Sequence, residues 1–240
     1  MREDIPLDPV AAYGRIAPEF ARLAAVRRAY LDAVDRIIAA EIPPGGESLL
    51  DVGAGDGSRA RRIAQSAGLT ELVLLEPSAA MRGSAAPGAK VWTLRAEDLH
   101  TVEAEFDVIT CLWNVLGHIF PSLARTEVLC QLARLITPHG KVFVDVNHRY
   151  NARHYGVMPT ALRFLRDSLL PGDSNGDVTV AWEVDGARAT TTGHVFTDGE
   201  FRSMARAAGL TVERRWVLDY ATGETRRWSF QGHLLYALTR

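Results

Sequence analysis

The chain of 240 residues predicts a doubly wound α/β domain, a mostly parallel sheet with helices on both faces. Three observations carry this reading. Strand-sized apolar runs alternate with helix-like stretches between residues 48 and 146, the pattern of a sheet built from crossover units. The first run, Leu49-Leu50-Asp51-Val52, enters a glycine-dense turn, Gly53-Ala54-Gly55-Asp56-Gly57. The second, Leu72-Val73-Leu74-Leu75, ends in Glu76. Ligands of open α/β sheets bind beyond the carboxyl ends of the strands, and glycines there let backbone and ligand approach closely. A carboxylate at the tip of the second strand suits the two hydroxyls of a ribose. A nucleoside-containing cofactor is therefore expected.

The elements follow in order. Residues 9–40 read as helix, with Leu23, Val26, Tyr30, Val34, Ile37 and Ile38 at helical spacing. Pro18 divides it, and Pro43-Pro44-Gly45-Gly46 ends it. Strands are expected at Ser48–Val52, 72–76, 91–95, 107–112 and 141–146, and helices at Ser58–Ala67, 79–84 and 123–135. Residues 147–176 mix aromatic, basic and turn residues around a helical piece at 160–169. Residues 178–184 alternate as a strand, Asp185-Gly186 signals a hairpin turn, and 189–196 return antiparallel. Thr197-Asp198-Gly199-Glu200 reads as a capping box opening a helix to Ala208. Residues 210–218 and 229–238 complete the sheet. The whole of 1–240 is read as one domain, with 1–44 a helical cap and 148–196 an insertion over the pocket. A lone hairpin needs another surface on which to bury its apolar side.

Composition narrows the function. Lys and Arg number 27 against 29 Asp and Glu, for a formal net charge of −2, so the basic face of a nucleic-acid binder is not expected. The arginine pairs at 27–28, 61–62, 214–215 and 226–227 are scattered and read as solvated helix faces and strand ends. Cys111 and Cys130 have neither metal-ligand spacing nor a disulfide framework, and no histidine cluster suggests a metal. Apolar runs fall short of the ~20 residues of a membrane helix. No secretory segment is visible at Met1-Arg2-Glu3-Asp4. A soluble cytoplasmic protein is expected, with no membrane partner. The glycines run G-x-G-x-G with Ser58 in the sixth place, not G-x-G-x-x-G. Asp51 close before them disfavours a pyrophosphate and favours a cation.

Asp51, Gly53, Gly55, Gly57 and Glu76 together resemble motifs I and II of the class I S-adenosylmethionine (SAM) dependent methyltransferases. Ala96-Glu97-Asp98-Leu99 resembles the acidic motif that meets the adenine amino group in that family. Phe106-Asp107-Val108-Ile109-Thr110-Cys111-Leu112 is similar to its fourth strand, which leads into the active site. Leu135-Ile136-Thr137-Pro138-His139-Gly140 resembles its L-x-P-G-G turn, with His139 in place of one glycine. The likeness runs from about residue 13 to residue 146. It implies a seven-stranded Rossmann-like sheet with the last strand antiparallel, and SAM as cofactor. It further implies that Asp51, Gly53, Ala54 and Gly55 face the methionine end and that Glu76 takes the ribose. Pro77 and Met81 then flank the adenine, Glu97 or Asp98 meets its amino group, Leu112 joins the cofactor site, and Tyr13 closes over it.

The expected reaction is methyl transfer to a small-molecule acceptor by in-line displacement, releasing S-adenosylhomocysteine. The protein then mainly positions and desolvates the reactants. His118 is the candidate base, since an imidazole titrates near neutral pH; its plainer reading is a helix-start histidine bonded to backbone. Asn114 is expected to orient acceptor or cofactor. Trp113, Asn147, Arg149, Tyr150 and Tyr155 are expected at the acceptor, with Arg149 or Arg153 as a fork for a carboxylate. His194 and His233 read as satisfied sheet or core histidines. Two rival readings stand: cyclisation or elimination chemistry on SAM that releases methylthioadenosine, and a catalytically silent SAM-binding partner subunit.

Overall fold

The computed structural model of the chain describes residues 7–82, 88–184 and 187–240. Asp8 caps the first helix by accepting from the Val10 amide at 3.0 Å. Helix α1 (Pro9–Ile16) leads through a tight turn, Ala17–Glu19, to α2 (Phe20–Val26) and α3 (Arg28–Glu41). Pro18 falls in that turn, as its missing N–H requires. A second break, at Arg27 with φ −109° and ψ 12°, has neither proline nor glycine to announce it.

Strands β1 (Ser48–Val52), β2 (Glu71–Leu75), β3 (Lys90–Trp92), β4 (Phe106–Cys111) and β5 (Ile136–Val146) follow. Helices α4 (Ser58–Ala67), α5 (Ala79–Arg82) and α6 (Ser122–Leu135) lie between them. Beyond β5 come α7 (Ala152–Tyr155), α8 (Val157–Leu169), β6 (Asp177–Val184), β7 (Ala187–His194) and α9 (Asp198–Ala207). Strands β8 (Thr211–Leu218), β9 (Thr225–Arg226) and β10 (His233–Thr239) close the chain. The expected turn at Asp185-Gly186 and the end of the expected 79–84 helix lie outside the described residues.

The main sheet has the order β3-β2-β1-β4-β5-β10-β8-β9. Strands β1 to β5 run parallel, and β10 is antiparallel to both β5 and β8. It carries eight strands rather than seven because the short β9 pairs with the outer edge of β8. The third strand is shorter than expected, since Ala96–Thr101 winds into a 3₁₀ turn. The fifth is longer: it pairs Ile136 with Phe106 and resumes at Lys141 opposite Val108, so residues 137–140 bulge out. Gly140 belongs in that bulge, since a Cβ there would lie 2.7 Å from the Asp107 carbonyl.

Alternation along β1 divides the core. Leu50 and Val52 pack with Leu129, Leu132 and Phe201 on one side. Leu49 packs with Tyr30, Val34, Ile38 and Ile63 on the other. Chain order reverses between β1 and β4, the switch point where α/β sheets bind ligands.

Two distant segments roof that point. Strands β6 and β7 form a separate hairpin, and α1 packs on it, with the Leu7 amide donating to the Thr190 carbonyl at 2.8 Å. A buried charge cluster anchors the hairpin. His194 stands between the Asp177 and Glu200 carboxylates at 2.6 Å each, and Arg149 reaches Glu200 at 2.7 Å. The capping box forms as expected, Glu200 N–H donating to Thr197 Oγ1 and Thr197 N–H to Glu200 Oε2.

Beneath the roof, β4 ends in a corner where Trp113 and Asn114 adopt φ of +56° and +63°. Left-handed backbone is costly for side chains larger than glycine. Asp145, fully buried on β5, holds it. Its Oδ2 accepts the Trp113 amide at 3.2 Å, its carbonyl accepts the Asn114 amide at 3.1 Å, and its Oδ1 accepts the Tyr30 hydroxyl at 2.8 Å. Removing the carboxylate leaves two buried donors without a partner. We expect Asp145→Ala to lose about 2–4 kcal/mol of stability in urea unfolding. A loss below about 0.5 kcal/mol, the scatter of ordinary surface substitutions, would refute this role.

Candidate active site

Most amides of the glycine turn are spent within it. Gly53 and Ala54 both donate to the Leu75 carbonyl, at 2.8 and 3.0 Å, and Gly57 donates to Ala54 at 2.9 Å. Gly55 donates to Glu76 Oε2 at 2.9 Å, and Ser58 to Asp56 Oδ1 at 3.0 Å. Most of the turn's own donors are therefore unavailable to cradle a pyrophosphate as in dinucleotide folds. Gly53 has φ +72°, and a Cβ on it would lie 2.5 Å from the Val115 side chain. Only glycine lets the turn close against the corner.

A cleft with two lobes wraps this turn, and Phe20, Gly53, Gly55, Leu112 and Trp113 line both. Pro77, Met81, Ala96 and Ile119 make the first lobe apolar, with Glu76 and Glu97 among its polar groups. Glu76 is buried and fixed by the amides of Gly55 and Ser78, at 2.9 and 2.8 Å on separate oxygens. Each oxygen keeps a second lone pair, enough to receive a diol. Burial pushes the Glu76 carboxyl above its ordinary range, against the pull of those two amides.

The second lobe is charged with both signs, by Arg28, Asp32, Asp51, Asp56, Arg59 and Arg62. Arg59 and Arg62 are both tied to Asp35, at 2.7 and 2.8 Å. Asp51 accepts from Thr110 Oγ1 at 2.6 Å, and burial pushes its carboxyl up to about 7. An apolar slot, a ribose-sized acceptor pair and a lobe matched to an ammonium and a carboxylate fit SAM.

A third cavity adjoins the cleft and shares Tyr13, Phe20, Trp113 and His118 with it. His118 Nδ1 faces the Thr192 carbonyl at 3.1 Å. A carbonyl only accepts, so the ring proton sits on Nδ1 and Nε2 accepts from the Tyr13 hydroxyl at 3.0 Å. Burial lowers the basicity of His118. The Tyr13 ring meets Trp182 of the hairpin edge-on at 5.2 Å.

The structure thus brings Tyr13, Asp51, Gly53, Ala54, Gly55, Glu76, Pro77, Met81, Glu97, Leu112, Trp113 and His118 around the cleft. Asn147 joins the third cavity. Asp98 stands apart, because its carboxylate receives the Arg95 amide at 3.3 Å and caps the 3₁₀ turn. Asn114 borders the third cavity, and each end of its amide has one protein partner. Nδ2 donates to the His194 carbonyl at 3.1 Å and Oδ1 accepts from the Asn147 amide at 3.0 Å. These bonds tie corner, strand and hairpin together, and one N–H and one lone pair of the amide remain.

Arg149, Tyr150 and Tyr155 line none of the three cavities. The chain turns under the hairpin after β5, with Arg149 N–H donating to the Phe196 carbonyl at 2.7 Å, and its guanidinium is locked on Glu200 and the Val195 carbonyl. Tyr150 donates to Asp167 at 3.0 Å, and Tyr155 packs against His154 and His233. Arg153 pairs with Asp219 at 2.6 Å. Sequence reasoning missed Phe20, Arg27, Asp145, Trp182 and Tyr220. Each reaches the site from a remote segment, and none belongs to a local motif. Among the described residues no group of three His, Cys, Asp or Glu side chains is placed to hold a metal ion.

A family model described as a methyltransferase domain matches residues 22–215. No curated protein matches the chain by sequence. Solved structures are similar in fold. A SAM-dependent methyltransferase from Clostridium acetobutylicum has a TM-score of 0.66 at 12% identity, over 95% of this chain and 97% of that one. A SAM-bound amino pentose methyltransferase from Micromonospora echinaspora has a TM-score of 0.57 at 16% identity, over 100% of both chains. A sugar N-methyltransferase from Streptoalloteichus has a TM-score of 0.57 at 17% identity, over 88% of this chain and 87% of that one.

Two substitutions check the cleft. Glu76→Gln removes a charged acceptor, and we expect roughly tenfold or greater loss of S-adenosylhomocysteine affinity by calorimetry; unchanged affinity takes Glu76 out of the site. Asp51→Asn keeps the Thr110 bond but not the buried charge. The folded carboxyl titrates above its unfolded value of 3.8, so its ionisation destabilises the fold above pH 7 and that penalty fades as pH falls. The variant should be more stable than the parent by roughly 1–3 kcal/mol at pH 8, with the gap narrowing towards pH 5. It should also bind the cofactor product more weakly. A pH-independent gap in melting would overturn this.

Proposed function

The chain belongs to the SAM-dependent methyltransferases, and on that premise we propose that it methylates a small-molecule acceptor held in the third cavity. The observation that carries the reading is the junction of the two spaces. Cofactor cleft and third cavity meet at Tyr13, Phe20, Trp113 and His118, a proton-accepting pair among aromatic walls. An enzyme acting on SAM alone needs no second chamber. The near-balanced charge and the small-molecule enzymes among the structural neighbours support the same reading. The free thiols Cys111 and Cys130 support a reducing cytoplasmic setting. No helix among the described residues is long and apolar enough to cross a membrane.

When bound, SAM supplies a methyl group activated by its sulfonium. Glu76 is assigned to the ribose hydroxyls, Pro77, Met81 and Glu97 to the adenine, and Asp51 to the ammonium. Phe20 and Trp113 exclude water where the two spaces meet. The methyl group would pass to the acceptor heteroatom with the carbon–sulfur bonding pair left on sulfur, and the acceptor's proton would leave to His118 Nε2. The Tyr13 hydroxyl, which already donates to that nitrogen, relays it: Tyr13 gives its proton to Nε2 and takes the acceptor's. Burial keeps His118 neutral below the ordinary imidazole range, so the pair remains a base in mildly acidic solution.

Chromatography of the adenosyl product tests the reaction. We expect S-adenosylhomocysteine only when an acceptor is present. Methylthioadenosine from SAM alone would replace methyl transfer with the elimination reading. For the base, His118→Ala should cut turnover roughly 10²–10⁴-fold while the affinity for S-adenosylhomocysteine stays near the parent's. Full turnover from pH 6 to pH 9 in that variant would remove the assignment.

A further inference from the structure

We infer that the acceptor is an anion: a small molecule with a flat apolar body whose carboxylate is gripped by Arg27 while its methyl-accepting atom reaches Tyr13 and His118. This rests on the third cavity being the acceptor chamber. Among the described residues Arg27 is the one charged side chain lining that cavity, and no Asp or Glu lines it. His118, which also lines it, faces the Thr192 carbonyl through Nδ1, and burial lowers its basicity.

Arg27 lacks the carboxylate partner that several other half-buried and buried arginines have. Arg59, Arg125, Arg149 and Arg226 each have a carboxylate partner. Among the described residues none lies within ion-pair distance of the Arg27 guanidinium, which instead lies over the Tyr220 ring, 4.3 Å from its centroid. Tyr220 is itself held, accepting from Trp113 Nε1 at 3.1 Å. Stacking uses one face of the guanidinium, which also reaches the Tyr220 hydroxyl; its remaining N–H donors are left for a planar, two-oxygen partner. The residue sits at the break between α2 and α3, so the helical interruption sets a lone cation beside the chamber.

The walls agree with the charge. Tyr13, Phe20, Trp113, Trp182 and Tyr220 line the chamber, and each end of the Asn114 amide already has a protein partner. Flat apolar surface finds contact there. A protonated amine meets a like charge and no carboxylate, and a polyhydroxylated ring finds few free polar side chains. The chamber thus favours a different acceptor from the amino sugar named for the Micromonospora neighbour.

The experiment uses the full chain with saturating SAM and matched probes: 4-hydroxybenzoate and 4-hydroxycinnamate, their carboxamides, and tyramine as the cationic member. Binding is read by calorimetry in the presence of S-adenosylhomocysteine, and turnover by its release. We expect the carboxylates to bind at least tenfold more tightly than their amides, and tyramine most weakly. Arg27→Gln should abolish that preference, raising KM for the carboxylates roughly tenfold to hundredfold with kcat little changed, as loss of a bidentate charged contact does. Arg27→Lys should restore part of it. All three proteins should bind S-adenosylhomocysteine alike and melt together. Equal use of amides, a preference for tyramine, no carboxylate binding to the parent, or an Arg27→Gln variant with unaltered preference would each overturn the inference. Those outcomes leave methyl transfer standing so long as S-adenosylhomocysteine still binds the parent. Failure of that binding removes the underlying reading instead.

Discussion

The buried carboxylate of Asp145 is the point on which the site depends. It holds two consecutive large residues, Trp113 and Asn114, in left-handed backbone, and this corner directs the chain after β4 across the mouth of the sheet. Trp113 thereby faces both lobes of the cleft and the third cavity. Asn114 reaches the hairpin, and the following 3₁₀ turn, Val115–His118, carries the candidate base to the boundary between the two spaces. Val115 closes on Gly53 so tightly that no side chain fits there. Asp145 also accepts from Tyr30, so α3 and the corner are set by one group. Burial raises its proton affinity, and the charge of Arg59 with its two donors opposes that rise.

Charge explains the selectivity of the cleft. Most amides of the glycine turn are bonded internally, and the cleft presents carboxylates at Glu76 and Asp51 beside the basic groups of its second lobe. Such a surface is poorly matched to a pyrophosphate. It also stores a cost, since two buried carboxyls are held above their ordinary proton affinity. Binding sites commonly carry such local destabilisation in exchange for function.

The roof is built from remote parts. Residues 9–26 cross one side and the β6–β7 hairpin covers the other, meeting at Tyr13 and Trp182. Since a two-stranded hairpin is marginal alone, a compact set of charges fixes it, with His194 clasped by Asp177 and Glu200 and backed by Arg149 and Arg125. Several polar residues that look like ligand-binding candidates in the linear chain serve this clamp instead.

The strands, the glycine turn and the acid at the end of β2 were legible in the chain because short-range patterning dictates them. Short continuous apolar runs buried on both faces, a turn that only glycine can make, and the capping box at Thr197 act within a few residues. The cofactor half of the site is made of such local pieces, so Asp51, Gly53, Gly55 and Glu76 could be named from spacing and resemblance. The acceptor half could not. Arg149 and Tyr150 sit beside the fifth strand in sequence, yet Arg149 is held by ion pairs with Glu200 and Asp167, and Tyr150 by a hydrogen bond to Asp167. Arg27, Tyr220, Trp182 and Asp145 come from four separate stretches of chain. Only packing brings them together, because burial of charge and ring surface is settled by whichever partner the whole fold delivers.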